Sequence, residues 1–227
     1  MLNRPYTTVV LAMSADGKIA DVMRSPARFG SGADKMHLEE QVAATDAVLF
    51  GASTLRAYGT TLTVSHPRLL QQREQRGQPP QPIHIVVSKS AQIDPEIHFF
   101  SQPVPRCLLT SSLGAESWEL SQGKFDQILA LETSMGKIDF AKALKYLTTI
   151  GVSNLAVLGG GTLVAGMMEL DLIDELWLTV CPLMLGGINA PTPVEGKGFL
   201  SKTAPHLELL TVNQVGQEVF LNYRVKY

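Results

Sequence analysis

The chain has 227 residues, 45% hydrophobic and 18% charged, with a formal charge of −2 at pH 7. That length suits one large α/β domain or two small ones, and a single domain over residues 1–227 is the reading taken. Near-neutral charge excludes a general pull toward nucleic acid or anionic membrane, and no apolar stretch reaches the roughly 18 to 20 residues that span a bilayer, so neither partner is expected and a cytoplasmic location is.

Residues 6–13 form a nearly continuous apolar run, as in a central strand covered on both faces. Asp16-Gly17 marks a turn, and the loop continues through Arg24, Ser25, Pro26, Arg28 and Gly30-Ser31-Gly32, a common place for a substrate-side loop. From Asp34 to about Thr45 the spacing predicts a helix with Leu38 and Val42 on one face and Lys35, Glu39 and Glu40 toward water. Residues 46–50 read as a second strand, ended by Gly51, with another helix starting near Ala52. Residues 58–82 are polar and carry Pro67, Pro79, Pro80 and Pro82, so an exposed, mobile connection is expected there.

Further buried strands are predicted at 83–88, 106–110 and 127–131, followed by a helix over 138–150 on Phe140, Ala143, Leu144 and Leu147, with Gly151 at its C-cap. Residues 154–158 are again strand-like, then Gly159-Gly160-Gly161 precede a helix with Leu163, Val164, Met167, Met168 and Leu170 on its apolar face. A strand over 173–181, a Gly/Pro-rich loop, and a hairpin of 207–215 with 219–226 turning at Gly216-Gln217 complete the chain. Alternating strands and helices imply an α/β fold with a mostly parallel central sheet, and the hairpin adds an antiparallel edge. Cys107 and Cys181 lie in or at the end of apolar runs and are expected to be buried packing.

Two strand-glycine-helix junctions, at Gly51 and at Gly159 to Thr162, are the chemically suggestive features. Glycines let an anion approach the backbone where the first helix amides point outward, although such a run also serves plain turn geometry. Neither junction is a G-x-G-x-x-G or a Walker A motif, and no G-x-S-x-G elbow occurs, which disfavours kinases, ATPases and serine hydrolases. His37, His66, His84, His98 and His206 are scattered without ligand spacing, so no metal site is expected.

Residues 10–20, with Asp16-Gly17-Lys18, then 46–54, then Gly159-Gly160-Gly161-Thr162-Leu163 resemble the reductase domain of bacterial riboflavin biosynthesis. Residues 172–176, 182–187 and 196–199 follow in that family's order and approximate spacing. The resemblance implies a dihydrofolate-reductase-like three-layer α/β/α fold and an NADPH-dependent reductase. Its substrate would be 5-amino-6-(5-phosphoribosylamino)uracil or its pyrimidine analogue, whose ribosyl group becomes ribityl as hydride reaches C1 of the opened ribosylamine. It also implies a homodimer, and a reductase without the deaminase half, since the zinc signature of that half is missing from this sequence.

On the same resemblance the dinucleotide pyrophosphate would lie on Gly159, Gly160, Gly161, Thr162 and Leu163, with Gly51, Ser53 and Thr54 lining the cofactor from the second junction. Ser88 and Lys89 are candidates for the 2′-phosphate, although ordinary solvation explains them as well. Lys18 would face the substrate, with Asp16 either shaping the turn or acting as an acid.

The chain departs from the family on the substrate side. Gly159 stands for the glutamate of Glu-Gly-Gly, Ala57-Tyr58-Gly59-Thr60 for Ala-Asp-x-Pro, and Val42 and Ser65 for arginines, leaving Arg24, Arg28, Lys35 and Arg56 as replacement cations. The glycine run is also close to that of dihydrofolate reductase, which keeps a pterin substrate as an alternative, with Glu39 and Glu40 nearest to the acid such enzymes carry on the helix after the first loop. A nucleotide-binding protein without turnover is the third reading.

Overall fold

A computed structural model describes residues 3–119 and 123–227. In chain order its elements are β1 (Tyr6–Ser14), α1 (Gly32–Ala44), β2 (Ala47–Gly51), α2 (Ala52–Tyr58), α3 (Pro67–Gln75), β3 (Ile83–Val87), β4 (Arg106–Thr110), α4 (Ser112–Glu119), β5 (Gln127–Ala130), α5 (Phe140–Thr149), β6 (Asn154–Val157), α6 (Gly161–Met168), β7 (Glu175–Cys181), β8 (His206–Val215) and β9 (Glu218–Lys226). The architecture is mixed α/β, mostly parallel in its strands with antiparallel strands at the C-terminus. Contacts gather in two compact units, Met1–Tyr6 with Glu39–Leu155 and Thr7–Leu38 with Ala156–Tyr227.

In the first unit β2, β3, β4 and β5 are successive parallel neighbours. The short apolar runs of β2, β3 and β4 are largely buried on both faces, as parallel strands require, whereas in β5 only Leu129 is buried. Gly51 pairs with Val87, and Val87 with Leu109, so the segments that follow these strands leave from one carboxyl edge. Phe99 is fully buried, packed edge-on against Phe50 and Phe100.

Two expectations fail in this unit for one physical reason. Residues 58–82 are not a plain connection, because they contain α3: His66 is its N-cap and accepts from the Arg68 amide, and Pro67 opens the first turn. Leu69 and Arg73, one turn apart, are both buried, and the Arg73 guanidinium donates to the carbonyls of Ala43 (2.9 Å), Thr45 (2.8 Å) and Pro79 (2.8 Å). Glu39, expected toward water, is also buried and accepts from the Ser65 amide (2.6 Å), the Ser65 hydroxyl (3.1 Å) and the His66 amide (2.7 Å). Helix ends leave backbone groups without partners, and here buried charges supply them. His84 belongs to the same interior; burial, then Arg73 and Arg106, push it down to about 3, so it is neutral and its Nδ1 shares a hydrogen bond with Thr61.

In the second unit β1 runs parallel to β7, with Ser14 opposite Cys181. Strand β7 pairs antiparallel with β9, and β9 with β8 around Gly216, whose φ of +61 is the left-handed turn that the hairpin needs. Every residue of β8 is exposed, including Leu207, Leu209, Val212 and Val215. Both cysteines are free and buried. No helix of the described residues is long and apolar enough to cross a membrane.

Candidate active site

Strand β1 ends in Ser14-Ala15-Asp16-Gly17-Lys18. Gly17 takes φ +79, which folds the chain back so that the Ser14 amide donates to the Lys18 carbonyl at 2.8 Å. The Ser14 hydroxyl donates to Asp16 Oδ1 (2.6 Å) and accepts from the Lys18 amide (2.9 Å). Asp16 also receives the amides of Leu185 (3.1 Å) and Gly186 (2.6 Å) from the loop after β7. The Ser14 hydroxyl, followed by those two amides, holds Asp16 down at about 2. It is therefore an ionised clasp between two loops and carries no proton to give at neutral pH. Lys18 is half-exposed on the same turn, and among the described residues no carboxylate pairs with its ammonium.

Strand β6 ends at the glycine run. Gly159 has φ +98 and its peptide bond to Gly160 is cis; a Cβ on Gly159 would sit 3.1 Å from Leu11 Cδ2 of β1. A side chain is strained in that conformation, so Gly159, where a glutamate was expected, is a backbone position. Gly160 is the N-cap of α6, and a Cβ on Gly161 would overlap the Thr192 carbonyl. Among the described residues no acceptor takes the amides of Gly160, Gly161 or Thr162. Leu163 differs from the expectation: its side chain is buried and its amide donates to the Gly160 carbonyl at 3.0 Å, so neither is turned to a ligand.

The second junction belongs to the first unit. Gly51 is the N-cap of α2 without a side-chain cap; Ser53 is exposed and Thr54 half-exposed. Just past the end of β3, Ser88 is buried with its amide on the Leu109 carbonyl, while Lys89 is exposed. The Lys89 carbonyl is fixed by the hydroxyls of Thr110 (3.2 Å) and Ser111 (2.8 Å). This unit thus brings Gly51, Ser53, Thr54, Ser88 and Lys89 to one strand edge, and the second unit brings the Asp16–Lys18 turn and the glycine run to β1.

A carboxylate that the sequence did not single out lies in the first turn of α1. Asp34 is half-buried and hydrogen-bonds the Thr179 side chain; burial raises its pKa, the Thr179 bond opposes the rise, and Glu218 adds to it. Glu218 is buried and accepts from the Ser31 amide (2.7 Å) and hydroxyl (2.5 Å). Asp34 and Glu218 both act on Cys181, which burial pushes up to about 12. Cys181 faces Ser14 across the β1–β7 pair, so Asp34 acts on the β7 end that adjoins the Asp16 turn. An acid in a helix's first turn ordinarily reads as a dipole partner, which hid it. Glu39 and Glu40, the acids expected there, are occupied: Glu39 on Ser65 and His66, Glu40 on Arg68.

The positions where arginines were expected do not open onto a site, because Val42 is fully buried and Ser65 serves Glu39. Of the replacement cations, Arg24 lies 3.4 Å from Glu195 and Arg56 donates to the Gln92 carbonyl at 3.1 Å. Arg28 and Lys35 are exposed and unpaired among the described residues. Among those residues no group of three or more His, Cys, Asp and Glu could hold a metal ion.

The sequence model of the RibD C-terminal domain matches residues 5–221. The chain is 28% identical over 199 residues to a 2,5-diamino-6-ribosylamino-4(3H)-pyrimidinone 5′-phosphate reductase of Archaeoglobus fulgidus, spanning 88% of this chain and 90% of that one. It is 27% identical to the protein of the same name from Methanothermobacter thermautotrophicus, over 98% of this chain and 99% of that one. Among solved structures, a pyrimidine reductase-like protein from Corynebacterium diphtheriae superposes with a TM-score of 0.81 at 21% identity, over 100% of this chain and 94% of the other. A dihydrofolate reductase from Enterococcus faecalis, complexed with NADP(H), superposes at 0.52 with 13% identity, over 97% and 96%.

Proposed function

The chain belongs to the RibD C-terminal domain family, and from that premise we propose that it is an NADPH-dependent reductase of a phosphoribosylamino-pyrimidine in riboflavin biosynthesis. The observation that carries this is the start of α6, where the amides of Gly160, Gly161 and Thr162 have no acceptor among the described residues. Free amides at the positive end of a helix suit a dinucleotide's pyrophosphate. Gly51, Ser53 and Thr54 would line the cofactor at the second junction, with Ser88 and the exposed Lys89 side chain favouring a 2′-phosphate and hence NADPH over NADH. The reduced nicotinamide, when bound, supplies a hydride to C1 of the opened ribosylamine, and the adjoining nitrogen takes a proton.

In this reading the protein's own residues hold and polarise the substrate. Asp16 positions the turn by clasping Ser14, Leu185 and Gly186. Lys18 presents an ammonium from that turn as the cation and proton donor at the reacting end. Asp34 accepts from the amino group and ring N–H of a 2-amino-4-oxopyrimidine, an edge of paired donors that a carboxylate matches. Arg28 and Lys35, exposed and unpaired among the described residues, would take the ribosyl phosphate. The substrate that fits these groups is 2,5-diamino-6-ribosylamino-4(3H)-pyrimidinone 5′-phosphate, ahead of its uracil counterpart.

A pterin offers the same 2-amino-4-oxo edge to Asp34 and is the second reading. The decisive assay follows NADPH absorbance with the diaminopyrimidinone, the uracil and dihydrofolate in turn. Oxidation with the first is expected, oxidation with dihydrofolate alone would replace the proposal with the pterin reading, and NADPH binding without any oxidation would refute turnover. We read the whole chain as one functional domain that works as a homodimer, with the exposed apolar residues of β8 as its contact; a light-scattering mass of one 24.6 kDa chain would refute the dimer.

A further inference from the structure

The positive end of α6 already has an anion beside it. The Thr162 hydroxyl donates to Glu195 Oε2 at 2.8 Å, and the Glu195 amide donates to the Gly161 carbonyl at 3.2 Å. The other carboxylate oxygen, Oε1, lies 3.4 Å from Arg24 Nη2; the Glu195 side chain is 22% exposed and that of Arg24 60%. Arg24 sits in a formed turn, with its amide on the Asp21 carbonyl at 3.0 Å and the Ser25 amide on the Asp21 carboxylate at 2.9 Å. A carboxylate, a hydroxyl and a guanidinium are thus chained together next to the glycine-run amides that have no acceptor among the described residues.

A hydroxyl has a single proton, so Thr162 can donate to Glu195 or to a phosphate oxygen but not to both. The Glu195 charge gains from the helix dipole where it lies, and it repels any second anion brought to the same amides. We propose that Glu195 is an internal competitor of the bound phosphates and so sets the affinity for the dinucleotide, with Arg24 taking over the carboxylate when Thr162 turns to the ligand. This rests on the glycine run being the pyrophosphate site. It assigns opposite signs to two neighbouring charges: Glu195 weakens dinucleotide binding, and Arg24 strengthens it only by way of Glu195.

The test is a fluorescence titration with NADPH of the wild-type protein, Glu195→Gln, Arg24→Gln and the double variant, at low and high salt. Thermal melts confirm that each variant is folded, and the near-isosteric Gln keeps the packing of the partly buried Glu195 side chain. Removing one charge at a helix end changes binding by about two- to fivefold, so Glu195→Gln should tighten NADPH by that factor with a flatter salt dependence. Arg24→Gln should weaken binding in the wild-type background and have no effect in the Glu195→Gln background. Unchanged or weaker binding in Glu195→Gln, as for a carboxylate that accepts from a ribose hydroxyl, overturns the competitor. An Arg24 effect that persists in the double variant assigns Arg24 to the ligand itself and overturns the handover. Failure of the wild-type protein to bind NADPH overturns both this inference and the pyrophosphate site beneath it.

Discussion

Substituting Asp34 by Asn tests how the heterocycle is read. The carboxylate offers two acceptor oxygens in fixed geometry, one of them steadied by Thr179, whereas an amide offers one acceptor and one donor group. Against a 2-amino and ring N–H edge, the exchange removes one charge-assisted bond and turns a donor toward a donor. A hydrogen bond to a charged group is worth about 1.5–3 kcal/mol, so kcat/KM for the diaminopyrimidinone should fall by roughly ten- to 150-fold. The uracil counterpart carries a carbonyl in place of the amino group, accepts from the Asn side chain and should lose little. The same variant should melt higher at neutral pH, because burial raises the Asp34 pKa and its ionised form therefore costs stability in the folded protein. Steady-state NADPH oxidation with both substrates and thermal melts at neutral pH provide the readouts. An equal loss on both substrates would refute the edge recognition, and an unchanged rate on both would remove Asp34 from the site.

Arg73→Met keeps the bulk of a buried side chain and strips the carbonyls of Ala43, Thr45 and Pro79 of their donor. Part of the loss is returned as relieved desolvation, leaving a destabilisation of about 3–5 kcal/mol, which lowers Tm by roughly 10 °C; a melt within about 2 °C of wild type would contradict that role. Gly159→Ala forces a side chain into φ +98 against Leu11, at a cost of about 1–2 kcal/mol, and should weaken NADPH binding about tenfold. Titration with NADPH checks it, and unchanged affinity would separate this turn from the cofactor.

What was legible in the sequence was what periodicity and turn chemistry encode. The buried parallel strands announce themselves as short apolar runs, and the hairpin turns at Gly216, where a left-handed residue is required. The glycine run between β6 and α6 lies where the spacing puts it. Illegible were the polar side chains whose partners are remote in sequence. Arg73 caps carbonyls some 30 residues away, and Glu39 receives amides 26 and 27 residues on, so Glu39 reads as a solvent-facing charge and Arg73 as part of an exposed connection. Thr179 and Glu218 likewise turn Asp34 from an ordinary first-turn acid into a perturbed one. Glu195 was invisible for the same reason, since it stands 33 residues from the Thr162 that it engages.

Asp16 follows the end of β1 and Asp34 lies in the first turn of α1 against Thr179 of β7, and their surroundings shift them in opposite directions, which gives them separable signatures in pH. Asp16 is held near 2 by the Ser14 hydroxyl and two loop amides. Its contribution to stability is complete above its unfolded value of 3.8 and is lost as pH falls through about 2. Asp34 has the opposite sign: burial raises its pKa, so stability falls as pH climbs from 3.8 through the raised value, while the ionised form needed for substrate appears over the same interval. The acid limb of kcat/KM should therefore be displaced upward from the ordinary aspartate value and be reversible, with the Asp16 clasp intact throughout it. Asp34→Asn should abolish that limb, and Asp16→Asn should leave its midpoint in place while removing the stability lost nearer pH 2. An acid limb that survives in Asp34→Asn, or one that coincides with loss of the folded state, would refute the division of labour between the two carboxylates.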